Sequence, residues 1–188
     1  MSESIRLSPE VVTMSRGMLP VAKVVQRIQA VVRSLGRRTR AGQRPMGAPA
    51  EPGPRTLAVM GEGPDRSALQ AAFDERGWGL ALADNTTDAL VQQMQERFQV
   101  ILFQREVAGR DWRPAVRVLS RMIPRPCVVL LSDTCDMNQW EELVRCGGFD
   151  VARTPVNGNA VMRMVTAAWS IWKQQEGHAA RPVVDARK

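Results

Sequence analysis

Three cysteines, Cys127, Cys135 and Cys146, and a single histidine, His178, are the most reactive side chains in this 188-residue chain. An odd number of thiols with no Cys-x-x-Cys pair argues against a disulfide framework and against a zinc site. Cys127 sits in an apolar run and reads as a packing residue, while Asp133 and Asp136 beside Cys135 disfavour a thiolate there. His178 follows the last apolar run, so no Ser-His or Cys-His pair assembles from core positions. A glycine loop, Gly61-Glu62-Gly63-Pro64-Asp65-Arg66, could cradle a phosphate. Its third fingerprint glycine is replaced by Arg66, however, and Pro64 removes a backbone donor. No metal site, no cofactor and no catalytic group is expected, so the chain does not read as an enzyme.

Charge is placed unevenly. Residues 1–55 hold ten basic and three acidic residues, and residues 56–188 hold 16 of each. Residues 36–55 include eight glycines or prolines, a composition that cannot offset its chain entropy by burial and reads as a flexible linker. Before it, Val21, Val24, Val25, Ile28, Val31, Val32 and Leu35 recur at helical spacing, with Lys23, Arg27 and Arg33 opposite. Arg37, Arg38, Arg40 and Arg44 extend the basic segment. Such a helix could pack or self-associate, dock on an anionic membrane or partner, or touch nucleic acid. The absence of interleaved aromatics makes the last the weakest. The start lacks a secretory signal pattern and no run is long enough to span a bilayer, so a cytoplasmic location is expected.

Something must position these groups, and the pattern from Thr56 onward supplies it. Short apolar runs, Leu57–Met60, Gly79–Ala83, Val100–Phe103, Cys127–Leu131 and Phe149–Ala152, alternate with amphipathic segments over Asp65–Arg76, Thr87–Arg97, Trp112–Met122, Asn138–Cys146 and Asn157–Gln175. Five βα units predict a doubly wound α/β fold with a five-stranded parallel sheet, flavodoxin-like, in the order 2-1-3-4-5. The predicted organisation is a basic helix and linker over 1–55, the α/β domain over 56–175, and a polar tail over 176–188. Ligands of such sheets sit beyond the carboxyl ends of the strands.

At those ends LAVMGEGPDR, VILFQREVAGRDW and PCVVLLSDTCDMNQWEELVRCGGFDVARTPV make the chain resemble the response-regulator receiver family. The GGFDVARTP run is similar to that family's Gly-Ala-x-x-Tyr-x-x-Lys-Pro pattern. The resemblance implies an acidic Mg²⁺-binding pair at Gly61 and Glu62, a phosphoacceptor at Gln104, a hydroxyl at Ser132, a lysine at Thr154 and a switch aromatic at Val151. Only Glu62 and Ser132 keep the required chemistry. A carboxamide is not the carboxylate nucleophile of an acyl phosphate, and one carboxylate holds Mg²⁺ weakly. Neighbouring Glu106 and Asp111 fall in the following loop.

The resemblance therefore implies a degenerate, stand-alone pseudo-receiver of a two-component type system that works by protein interaction. The alternatives are a phosphoacceptor in a relay using an unusual residue and, more weakly, a nucleotide or flavin binder on the same fold. Trp169 and Trp172, with Val161, Val165 and Ala168, follow helical spacing on the last segment and Trp140 lies on the preceding one, for which core packing is the plain explanation. Aromatics also anchor interfaces, and in receiver families the last two helices form a common contact face, so a protein partner or a second copy is expected there.

Overall fold

The computed structural model describes residues 52–179. The basic residues Lys23, Arg27, Arg33, Arg37, Arg38, Arg40 and Arg44, the linker up to residue 51, and residues 180–188 lie outside the described residues.

The chain runs β1 (Thr56–Val59), α1 (Pro64–Asp74), β2 (Leu80–Ala83), α2 (Thr86–Glu96), β3 (Val100–Gln104), a 3₁₀ turn (Arg105–Ala108), α3 (Arg113–Leu119), β4 (Cys127–Ser132), α4 (Met137–Arg145), β5 (Asp150–Arg153) and α5 (Gly158–Ala179). The strands form one parallel sheet in the order β2-β1-β3-β4-β5, as the alternation predicts.

Burial explains the order. β4 is buried throughout and β3 is buried except at Gln104, because both are covered on two faces, whereas β2 and β5 form the edges and are partly open. Side chains alternate across the sheet. Leu57, Val59, Ile101, Phe103, Val128, Leu130 and Val151 face one layer, with Trp112, Val116, Leu119 and Leu143. Ala58, Met60, Val100, Leu102, Val129, Leu131 and Ala152 face the other, with Leu69, Phe73, Val161 and Val165. Burying each large apolar side chain contributes roughly 1.5–3 kcal/mol.

Helix starts follow local chemistry. Asn85, Asp136 and Asn157 accept hydrogen bonds from the backbone N–H groups of Asp88, Gln139 and Ala160 at 2.9, 2.8 and 3.0 Å. Pro64 opens α1 after Gly63, whose φ of 154° suits glycine alone. On the edge strand β2, the Gln92 carboxamide donates to the Leu82 carbonyl at 2.9 Å.

Two helix ends differ from the sequence expectation by three residues or more. α3 stops at Leu119 rather than Met122, where the Ser120 hydroxyl donates to the Cys146 carbonyl at 2.9 Å. α5 continues past Gln175 to Ala179 and runs through Gly177, a residue whose cost in a helix is only about 1 kcal/mol. None of the described helices is long and apolar enough to cross a membrane.

Candidate functional site

The carboxyl ends of β1, β3, β4 and β5 bring Gly61, Glu62, Gln104, Ser132 and Thr154 to one edge of the sheet. Gln104 is the last residue of β3, and its Oε1 accepts a hydrogen bond from the Gly61 N–H at 3.0 Å. This bond ties the β3 end to the loop after β1. A Cβ added at Gly61 would meet nothing within 4 Å, so packing does not exclude a larger side chain there.

Ser132 ends β4 and is fully buried. Its Oγ accepts from the Thr134 N–H at 3.2 Å and from the Gln139 Nε2 at 3.0 Å. The Gln139 Oε1 is buried without a partner among the described residues. Thr154 follows β5, and its N–H donates to the Ser132 carbonyl at 2.9 Å. Two positions singled out in the sequence thus meet through the backbone, with the Ser132 hydroxyl turned to α4.

Glu62 does not point into a metal cradle. Its carboxylate pairs with Arg66 at 2.7 Å and its side chain is 85% exposed. The same Arg66 nitrogen reaches Asp84 at 2.9 Å, so one guanidinium spans the acids after β1 and β2. Asp65 accepts from the Val156 N–H at 2.7 Å and fastens the loop before α5 to the start of α1. On the far side Arg105 lies 3.5 Å from the Thr134 hydroxyl and 3.8 Å from Asp133. Sequence reasoning names Arg66 and Asp65 without their pairing roles, and it misses Asp84 and Gln139. Glu62 lies in the loop before α1, so its spacing of four from Arg66 is no helical signal in the sequence. Asp84 stands just past a strand end.

These residues do not fit the Mg²⁺ that receiver chemistry would require. One carboxylate remains of the acidic pair, it is held by Arg66, and Gln104 offers a neutral carboxamide already bonded to Gly61. Among the described residues no group of three or more His, Cys, Asp or Glu side chains is placed to hold a metal ion. Hydrogen bonds from the Arg113 backbone N–H and guanidinium hold Asp111 below the usual carboxylate range, and Glu106 is exposed in the 3₁₀ turn. The Gly61–Arg66 loop is no better suited to a nucleotide, with Pro64 inside the first turn of α1 and Arg66 paired to two carboxylates.

Val151, at the switch-aromatic position, is 3% exposed in β5. The tryptophans do not form one contact face. Trp140 packs on the layer of α2, α3 and α4; burial pushes the Asp150 carboxyl up, opposed by the Val151 N–H and by Trp140. Trp169 and Trp172 pack in the opposite layer. Trp169 meets Trp78 edge-to-face at 6.1 Å, with the Lys173 ammonium 3.8 Å from its ring centre. Trp78 precedes β2, the edge opposite β5, so Trp169 does not serve the β5 side. Spacing correctly put these rings on α4 and α5 but left their directions open.

The architecture can be set beside known structures. A two-component response regulator from Clostridium difficile is similar over 61% of this chain and 94% of its own, with a TM-score of 0.55 and 16% identity. A response regulator from Thermotoga maritima is similar over 63% and 98%, with a TM-score of 0.57 and 19% identity. The fold is that of a receiver domain. The chemotaxis response regulator CheY4 of Vibrio cholerae shares this receiver fold over 62% of the chain and 98% of its own, with a TM-score of 0.56 and 15% identity. No protein-family model and no curated protein matches the chain by sequence.

Proposed function

We propose that the chain is a pseudo-receiver, a signalling module that binds a protein partner independently of phosphorylation and has no catalytic activity of its own. The observation that carries this reading is the Gln104–Gly61 hydrogen bond at the position where a receiver would hold its phosphoacceptor carboxylate. A carboxamide cannot form the acyl phosphate, and phosphoryl transfer depends on charge neutralisation that Thr154 and the Arg66-paired Glu62 do not supply. The interaction role rests on the receiver fold, whose last two helices are a common contact face in the family. Here the partner would meet exposed residues of α4 and the β5 edge, such as Met137 at 69% exposure, instead of Trp169.

Intact-mass measurement after incubation with a small phosphodonor and Mg²⁺ tests the reading. The native protein and the Gln104→Asp variant should gain no phosphoryl mass. Gly61→Asp, Gln104→Asp and Thr154→Lys together replace every missing charged group and should accept phosphate slowly. A phosphoryl adduct on the native protein near this edge would establish the relay alternative instead.

A further inference from the structure

All five strands are parallel, so the α-to-β connections, the entry to β1 and the end of α5 gather at the end opposite Gln104. The connection from α3 to β4 runs Ser120-Arg121-Met122-Ile123-Pro124-Arg125-Pro126. Ile123 is 94% exposed, above Met94 at 74%, Met137 at 69%, Val118 at 50% and Val91 at 47%. Arg121 and Arg125 flank it, both exposed, and neither has an ion-pair partner among the described residues. No acid occurs from Trp112 to Ser132. The acids of this end are Asp74, Glu75, Glu96 and Glu176 at the ends of α1, α2 and α5, and the half-buried Asp150 at the start of β5.

Cations near helix C-termini complement the macrodipole, and one exposed apolar residue is ordinary on a surface. Two facts go beyond that. Both arginines lie past the last residue of α3, with an isoleucine set between them at the tip of the connection. In addition, residues 1–55, which carry the whole charge excess of the chain, join the folded body at this end through Pro52–Arg55.

We propose that this end docks on an anionic lipid surface. Ile123 enters the boundary between headgroups and acyl chains, Arg121 and Arg125 contact the headgroup phosphates, and the Gln104 edge faces away from the bilayer. An apolar tip between two long cations suits a bilayer interface, where arginine stems lie along apolar material and their heads stay in the polar layer. A nucleic acid would use the charge but leave the isoleucine without a function.

The test uses the full chain and sedimentation with vesicles of phosphatidylglycerol and phosphatidylcholine, or of phosphatidylcholine alone, at low salt. Binding to the anionic vesicles and not to the neutral ones is expected. Arg121→Gln with Arg125→Gln should weaken it by roughly fivefold per cation removed. Ile123→Asp, at a site exposed enough to leave the fold intact by circular dichroism, should weaken it by about tenfold or more. Ile123→Trp should add fluorescence quenched by brominated lipid. Undiminished vesicle binding by both the arginine and the aspartate variants overturns the proposal. Binding to duplex DNA without binding to anionic vesicles overturns it equally.

Discussion

Arg66 in the first turn of α1 and Glu62 in the loop before it form an ion pair of 2.7 Å, where the receiver fold would use the second residue to hold a metal ion. The pair is open to solvent on the Glu62 side, and exposed pairs contribute little. Arg66→Met should therefore cost no more than about 1 kcal/mol in urea denaturation. Because Gln104 supplies no carboxylate, the freed Glu62 should still bind no Mg²⁺ by titration calorimetry. Millimolar affinity in this variant would mean that the arginine alone keeps a metal out.

Ser132 is fully buried and accepts from both Thr134 and Gln139. Ser132→Ala leaves those donors unpaired and should cost roughly 1–3 kcal/mol. Adding Gln139→Leu removes one unpaired donor together with the unpartnered Oε1. The double variant should be destabilised by less than the sum of the two single changes, with a coupling of about 0.5 kcal/mol or more in a double-mutant cycle. Simple additivity would deny that the two side chains act together.

Trp169 packs against Trp78 inside one layer of the fold. Trp169→Ala should lower the unfolding free energy by about 3 kcal/mol, near the lower bound for aromatic truncation because the ring is partly exposed. Its sedimentation behaviour should match that of the native chain. A variant of native stability with altered self-association would return this ring to the role of an interface anchor.

The three thiols differ in access. Burial pushes the Cys127 thiol up to about 12, Cys146 is also buried, and Cys135 is exposed. At pH 8 an aromatic disulfide reagent should react rapidly with Cys135 alone, and with all three after unfolding in guanidinium. Rapid native labelling of Cys127 would show that β4 opens readily at its start.

Periodicity made the strands and their order legible, because a parallel sheet writes its two-sided burial into runs such as Val100–Phe103 and Cys127–Leu131. The Asn157 cap was also readable, since its hydrogen bond spans three residues. The positions of Gln104, Ser132 and Thr154 came from the family resemblance laid over the strand ends, and it did not supply the partners of their polar atoms. The Asp65 bond to Val156 links residues 91 apart and leaves no local trace. Trp169 shows the same limit: helical spacing fixes the stripe a side chain belongs to, whereas the neighbour it meets is decided by how α5 lies on the sheet.

The carboxamide of Gln92 bears on how copies of this protein avoid one another. β2 ends the sheet, and the Leu82 carbonyl is already an acceptor for that side chain from α2. A foreign strand aligning along this margin would have to evict a bond made within its host before gaining one of its own. With only four residues in the strand to reward it, addition of a strand at this margin is disfavoured.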